Sequence, residues 1–106
     1  MIRFQRSIRT ARGKGLEARQ WAKEVTEYIN GKHPESNLQV FAERFGDISA
    51  IVWQVDFDDL AALDKYQRSF DTDEGYWALK NKANDFFIEG SVVDTVIETL
   101  LIFIQG

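Results

Sequence analysis

Residues 38–57 read LQVFAERFGDISAIVWQVDF. Two runs rich in β-branched and aromatic residues, 38–45 and 48–57, flank a Gly-Asp pair at 46–47. A period of two marks a strand, and a glycine-containing pair between two strands is typical of a tight turn. The stretch therefore predicts a β-hairpin in the middle of the chain. Its second strand carries alternating apolar side chains at Ile51, Trp53, Val55 and Phe57.

A strand and a helix precede this hairpin. Ile2, Phe4 and Ile8 alternate with polar residues, which predicts a strand over residues 2–12. Residues 16–30 carry apolar side chains at three- and four-residue spacing, which predicts an amphipathic helix. The first half of the chain therefore has the order strand, helix, strand.

The second half repeats this order with a longer helical region. Residues 60–88 have helical spacing that is interrupted at 70–75, which indicates two helices. Asp58 or Asp59 is expected to cap the first of them, since a carboxylate there accepts an unpaired helix N–H group. A last strand is predicted from residue 92 onward.

Two strand–helix–strand halves joined by a hairpin form the ferredoxin-like βαββαβ arrangement. We therefore predict an α+β fold with an antiparallel sheet, whose first and third strands are central. The second helical region is expected to be broken in two. At this length residues 1–106 form a single domain.

Both helical regions of this arrangement pack on one face of the sheet, so strand periodicity assigns each side chain to a covered or an open face. The covered face is predicted to carry Phe4, Ile8, Val40, Ala42, Ile51, Trp53, Val55, Val93 and Ile97. The open face is predicted to carry Gln5, Arg9, Phe41, Glu43, Ala50, Val52, Gln54, Asp94, Val96 and Glu98. A face in contact with water would be mostly polar, and this one is mixed. We therefore expect a homodimer that closes two open faces against each other.

Composition excludes several classes of function. The chain has no cysteine, which excludes disulfides, thiol nucleophiles and cysteine-ligated metals. Residues 1–23 hold seven basic side chains and one acid, and the remainder holds six basic and sixteen acidic ones. This asymmetry fits an anion-binding end or, as we favour, arginines of the first strand paired with later acids. The apolar run at 100–104, whose continuation of the last strand is left open, is too short to cross a bilayer. With no apolar leader at the N-terminus, we expect a cytoplasmic protein.

Three short motifs resemble those of a known superfamily. They are Ala-Glu-Arg-Phe-Gly at 42–46 before the third strand, Gly-Tyr-Trp at 75–77 and Glu-Gly-Ser-Val at 89–92. With the predicted order of elements, they are similar to small NIPSNAP-like members of the dimeric α/β-barrel superfamily. The resemblance implies two ferredoxin-like subunits with stacked sheets. Its other members include cofactor-free monooxygenases of antibiotic biosynthesis, haem-degrading enzymes and lactone isomerases.

Polar side chains on the predicted barrel side form the candidate ligand site. We expect Arg9 on the first strand to neighbour Gln54 on the third and Asp94 on the last. A guanidinium and a carboxylate beside an apolar barrel would orient an anionic or carbonyl-bearing ligand. The alternative is an ion-pair network that fixes the register of the dimer. The candidate ligand-binding residues are Arg9, Phe41, Glu43, Trp53, Gln54 and Asp94.

The aromatic residues and the single histidine bear on further kinds of site. Trp53, Tyr76 and Trp77 are candidates for an aromatic ligand pocket, or else ordinary core residues. The lone histidine, His33, has no neighbouring histidine or cysteine, so we expect no metal and no cofactor. It also argues against the haem degradation and His-dependent oxygenation that the resemblance would allow. The third strand lacks the basic, glycine-containing aromatic motif of RNA-recognition domains, so no nucleic-acid partner is expected.

Together these patterns predict a homodimer that binds a small organic molecule in its barrel. The enzymatic interpretation is a cofactor-independent monooxygenase or an isomerase. The alternative is a structural or interaction dimer without enzymatic activity. A cavity lined by Arg9, Phe41, Trp53 or Gln54 would favour ligand binding, and a barrel packed solid with side chains would favour the alternative.

Overall fold

A computed structural model describes residues 1–44 and 49–101 of the chain. Part of the predicted hairpin, including the turn at 46–47, and residues 102–104 of the apolar run lie outside the described residues. None of the described helices has the length and hydropathy needed to span a bilayer. In chain order the elements are β1 (Ile2–Arg9), α1 (Gly15–Lys32), a 3-10 turn (Pro34–Ser36), β2 (Gln39–Ala42), β3 (Ala50–Phe57), α2 (Leu60–Arg68), α3 (Glu74–Lys82) and β4 (Val93–Glu98).

The four strands form one antiparallel sheet in the order β2-β3-β1-β4. β1 and β3 are central, as predicted, and the α+β class with an antiparallel ferredoxin-like sheet is confirmed. β1 ends at Arg9, before the predicted boundary at residue 12. Thr10 forms an isolated bridge to Phe87 and donates its backbone N–H to the carbonyl oxygen of Ser49, and the chain then turns through Gly13 at φ +78°. Glycine adopts a positive φ at little cost, and this conformation is incompatible with a strand, so the turn at Gly13 lies outside β1.

The core lies between α1 and the face of the sheet that carries Trp53. Trp21 of α1 meets Trp53 edge-on, with ring centroids 6.1 Å apart. Trp21 Nε1 donates to the carbonyl oxygen of Leu79 at 2.7 Å, and Trp53 Nε1 donates to Thr26 Oγ1 at 3.0 Å. Both rings thus bury a large apolar area without leaving an indole N–H group unpaired. The buried cluster comprises Ala18, Trp21, Ala22, Val25, Ile29, Leu38, Ile51, Trp53, Val55 and Ala83.

The register corrects the predicted orientation of β4. Arg6 of β1 lies opposite Asp94, which places Asp94 on the same face as Trp53, the helix side. Val93 and Ile97 therefore lie on the open side, the reverse of the sequence-based assignment. Both faces of this edge strand carry β-branched residues, so hydrophobic alternation does not distinguish them, whereas the cross-strand ion pair does. The helix side of β4 consists of Asp94, Val96 and Glu98.

The helices cover only part of the helix side of the sheet. α2 packs on β1 and β3, and α1 packs on β2. α3, in contrast, packs on α1. β4 packs on β1, and each of its residues is exposed. A gap therefore remains between α3 and the adjoining strands β1 and β4.

Both helices that follow β3 begin at an aspartate. Asp59 Oδ1 accepts the backbone N–H of Ala62 at 2.8 Å, and Asp73 Oδ1 accepts that of Tyr76 at 3.1 Å. Such caps satisfy N–H groups that have no partner within the helix. Of the two predicted caps of α2, Asp58 and Asp59, the chain uses Asp59. The second cap sets where α3 begins, and thereby which of its side chains face the gap.

Candidate functional site

The gap forms a cleft with a volume of about 840 Å³. Cavities that bind small organic molecules span roughly 300–1,000 Å³. Strands β1 and β3 supply one wall, and α1, α2 and α3 supply the other. All three tryptophans of the chain line the cleft. Its further aromatic lining consists of Phe4, Tyr66, Phe70, Tyr76 and Phe87.

One ion pair joins two strands at the cleft. Arg6 Nε donates to Asp94 Oδ1 at 2.7 Å, and Arg6 Nη2 donates to Asp94 Oδ2 at 2.9 Å. These hydrogen bonds raise the pKa of Arg6 and hold the pKa of Asp94 below its ordinary value. A two-point contact between guanidinium and carboxylate fixes orientation as well as charge. The pair therefore holds a matched positive and negative charge at the strand wall of the cleft.

A second cation faces this pair from α3. Lys80 lines the cleft and is half-buried, and its Nζ lies 5.9 Å from the centroid of the Tyr76 ring. Burial lowers the pKa of Lys80, and the positive charge of Arg6 lowers it further, whereas Asp94 opposes the shift. Among the described residues, no carboxylate lies within 4.0 Å of Nζ. The cleft thus contains an ammonium group without an ion-pair partner in the described chain.

Two tyrosines of the lining are held in their neutral form. Burial raises the pKa of Tyr66 to about 12, and burial also raises the pKa of Tyr76. Neutral phenols present a ring face and an O–H group that donates or accepts a hydrogen bond. The aromatic wall is therefore uncharged at neutral pH, and the charges of the cleft belong to its other residues.

The position of α3 is set by contacts with α1. Tyr28 Oη donates to Asp73 Oδ1 at 2.6 Å, and the same oxygen caps α3. Nearer the other end of the helix, the Trp21 indole N–H holds the carbonyl oxygen of Leu79. Lys80 follows Leu79 in the chain, so its backbone is anchored next to that hydrogen bond. These contacts attach α3 to α1 at both ends of the helix.

The structure separates the residues of the predicted ligand site. Arg9 pairs with Ala50, and Gln54 pairs with Gln5, to which it is hydrogen-bonded at 3.0 Å. The expectation that Arg9 neighbours both Gln54 and Asp94 is therefore wrong. Asp94 lies on the helix side of the sheet, because it pairs with Arg6.

The other predicted residues also divide between the two faces. Trp53 lines the cleft on the helix side, as the aromatic prediction allowed. Phe41 lies on the open side opposite Val52 and is 49% exposed. The backbone N–H of Glu43 donates to the carbonyl oxygen of Ala50 at 3.0 Å, next to the open face. Of the predicted set, only Trp53 and Asp94 thus lie beside the cleft.

Sequence reasoning missed Arg6 and Lys80 as site residues. A usable signal was present for Arg6, which shares its strand face with the apolar Phe4 and Ile8. A charged residue on the covered face of a strand indicates a buried partner or a ligand. Lys80 lies on an ordinary amphipathic pattern, and only the gap between α3 and β4 makes it a cleft residue.

His33 does not line the cleft. Its ring lies behind Tyr66 and Phe70, with centroids 5.3 Å from each, and its Nε2 is 3.2 Å from Ser69 Oγ. Within residues 1–44 and 49–101 no group of three histidine or acidic side chains is arranged to hold a metal ion. The cleft offers aromatic packing, the ion pair and the ammonium group, together with the exposed carboxylates of Asp71 and Glu89 and the side-chain amides of Gln67 and Asn84.

No protein-family model and no curated protein matches the chain. Solved structures do. An uncharacterized NIPSNAP domain protein from Burkholderia xenovorans superposes with a TM-score of 0.81 at 13% identity, over 99% of this chain and 100% of that one. A NIPSNAP family protein with unknown function from Agrobacterium tumefaciens gives a TM-score of 0.77 at 17% identity, over 92% of this chain and 86% of that one.

A more distant likeness extends to an enzyme. SnoaB, a cofactor-independent oxygenase from Streptomyces nogalater, gives a TM-score of 0.67 at 10% identity, over 98% of this chain and 97% of that one. At such identities the likeness concerns the fold, since one fold hosts many functions. The chain is thus similar in fold to NIPSNAP proteins and to a cofactor-independent oxygenase, as its sequence motifs had indicated.

Proposed function

We propose that this chain binds a small aromatic molecule in the cleft between α3 and the sheet. The observation that carries the proposal is the lining: eight aromatic side chains, including all three tryptophans, surround about 840 Å³. Planar rings favour edge-on and offset contacts with one another, so a planar ligand gains more there than a flexible aliphatic one. This site differs from the predicted one, because it lies on the helix side of the sheet.

The cleft favours ligand binding over a purely structural dimer. Sequence reasoning set a cavity lined by Arg9, Phe41, Trp53 or Gln54 as the criterion, and only Trp53 meets it. That criterion concerned the barrel between two open faces, whereas the cleft lies on the helix side, so the case for ligand binding rests on the lining of the cleft itself.

Isothermal titration calorimetry with neutral one- and two-ring aromatics, such as 2-naphthol, tests the proposal. We expect saturable binding at one site per chain. Trp77→Ala should weaken it several-fold, because the variant removes one of the eight aromatic rings that line the cleft. Leu60→Ala is a matched control, since Leu60 is an exposed apolar residue at the start of α2 that does not line the cleft. Absence of binding throughout the panel would contradict the proposal.

The proposed function includes a homodimer joined through the open faces of two sheets. With β4 reoriented, the open face carries more apolar area than the sequence assignment gave it. Phe41, Val93 and Ile97 there are 49%, 58% and 46% exposed. A stable interface buries about 1,600 Å² in total, which a four-stranded face from each of two subunits is large enough to supply. The Arg3–Asp56 and Gln5–Gln54 pairs satisfy polar groups on this face.

An enzymatic role is a second candidate, and one observation favours it: a protein of the same fold is a cofactor-independent oxygenase. For this chain the corresponding reaction is oxidation of a bound phenol or enolisable ketone by molecular oxygen, or its isomerisation. Oxygen uptake or a change in absorbance by compounds that bind in calorimetry would support it. If every binder is recovered unchanged after incubation in air, the chain acts as a binding protein.

A further inference from the structure

Resting on the proposed aromatic site, we infer that the ligand of the cleft carries one negative charge, a carboxylate or a phenolate, which the ammonium group of Lys80 receives. The inference adds the chemical class of the ligand and the residue that selects it. It follows from the position of Lys80 in the lining of the cleft and from its lack of an ion-pair partner among the described residues.

Lys80 differs from the other cations around it in having no anionic partner among the described residues. Arg6 at the same cleft is paired with both carboxylate oxygens of Asp94. Lys82, two residues along α3, lies 3.2 Å from a carboxylate oxygen of Glu24. A ligand anion would therefore supply Lys80 with the kind of partner that these two cations already have.

The surroundings of Lys80 make contact with an anion energetically favourable. Its side chain is half-buried against the ring of Tyr76, and this desolvation lowers the pKa of the amine. An unpaired charge that has lost part of its hydration is costly, and an opposite charge offsets the cost. Charge-assisted hydrogen bonds are also stronger than those between neutral groups. An anionic ligand thus gains more at this position than it would at a fully hydrated lysine.

The acidic residues of the cleft do not cancel the effect. Asp94 acts on the pKa of Lys80 and raises it, but both of its carboxylate oxygens already accept hydrogen bonds from Arg6. Asp71 and Glu89 also line the cleft but are exposed to solvent, and neither contributes to the pKa shift of Lys80. Exposed charges are screened by water and salt, whereas a half-buried charge is screened less. Lys80 is therefore the half-buried charge of the cleft that remains available to a ligand.

Three compounds of one shape and different charge test the inference: 2-naphthoate, 2-naphthamide and 2-(aminomethyl)naphthalene, which is a cation at pH 7. Calorimetry on the full chain at low ionic strength should rank them in that order. We expect naphthoate to bind at least about tenfold more tightly than the amide, as a single charge-assisted contact provides. Because this comparison uses the unaltered protein, it does not depend on whether a variant folds.

Variants then assign the preference to one side chain. Lys80→Gln should remove most of the preference for naphthoate over naphthamide, and Lys80→Arg should keep it. Lys82→Gln is the matched control, because it removes a lysine of the same helix that is already paired with Glu24. Circular dichroism verifies that each variant is folded before its affinities are compared.

The possible failures are distinct. Equal binding of naphthoate and naphthamide by the unaltered chain would overturn this inference and leave the proposed aromatic site standing. A preference that survives in Lys80→Gln would overturn the assignment to Lys80. If none of the three compounds binds, the proposed function and the inference built on it both fail.

Discussion

Gly75 in the first turn of α3 lies directly against the phenol group of Tyr28 on α1. A β carbon at Gly75 would meet Tyr28 Oη and Cζ at distances shorter than side chains in proteins tolerate. Tyr28 cannot turn away freely, because its hydroxyl group donates to Asp73, the residue that caps α3. Glycine at this position therefore allows α1 and α3 to approach closely enough to form one wall of the cleft.

Gly75→Ala should lower the melting temperature, although alanine is the better helix former. The added methyl group displaces Tyr28 and breaks its hydrogen bond to Asp73. The matched control is Gly31→Ala, since an added β carbon at Gly31 in α1 would meet no atom within 4 Å. That variant should gain up to about 1 kcal/mol of stability from helix propensity alone. Thermal melts that show the same gain for both variants would contradict the close contact.

Asp94→Asn should destabilise the chain at neutral pH and not in strong acid. The pKa of Asp94 is lower in the folded chain than the ordinary 3.8, so its ion pair with Arg6 stabilises the fold above that value. The stabilisation is lost as the pH falls through the lower, folded pKa. Since the side chains of Arg6 and Asp94 are 34% and 40% exposed, screening limits the loss at pH 7 to about 1 kcal/mol.

Urea denaturation of the unaltered chain and of Asp94→Asn, from pH 7 down to pH 2, measures this effect. The two unfolding free energies should converge at the acid end of the series. Asp64→Asn serves as the control, because its pair with Arg68 is more exposed and lies within one helix. Such pairs contribute about 0.3–0.5 kcal/mol, so that variant should change little. A difference for Asp94→Asn that is constant across the series would rule out the ion pair as its cause.

Trp53→Phe should cost about 1–3 kcal/mol of unfolding free energy. The variant leaves space beside Trp21 and removes the hydrogen bond from the indole N–H to Thr26. Trp77→Phe is the comparison, since Trp77 is 46% exposed and should lose less than about 0.5 kcal/mol. Urea titrations followed by circular dichroism measure both. A larger loss of unfolding free energy for Trp77→Phe than for Trp53→Phe would contradict a core centred on Trp53.

The fold could be predicted from the sequence because local patterns agreed with one another. Alternation in β1 and β3 and the helical spacing of residues 16–30 each indicated the element that forms there. A central strand has a buried face, so its apolar residues alternate clearly, as Ile51, Trp53 and Val55 do in β3. The order of elements then left few ways to arrange the sheet.

The site could not be predicted in the same way, because it depends on what α3 leaves uncovered. β4 is an edge strand whose residues are all exposed, so its period of two carries no information about which side faces the helices. Assigning Asp94 to the wrong side moved the candidate site to the opposite face. The correct assignment needed the partner of Asp94, and several arginines of β1 were equally plausible partners from the sequence.

The corrected orientation of β4 makes a direct prediction about assembly. Val93→Lys should convert the proposed dimer to a monomer, because Val93 lies on the open face and a charge there would be buried between two sheets. Val96→Lys should leave assembly unchanged, because Val96 lies on the same strand but on the helix side of the sheet. The two residues are 58% and 48% exposed, so neither substitution disturbs the core of one subunit. Light scattering coupled to size exclusion gives the mass of each variant. A monomeric unaltered chain would refute the dimer, and dissociation by Val96→Lys alone would place the interface on the helix side.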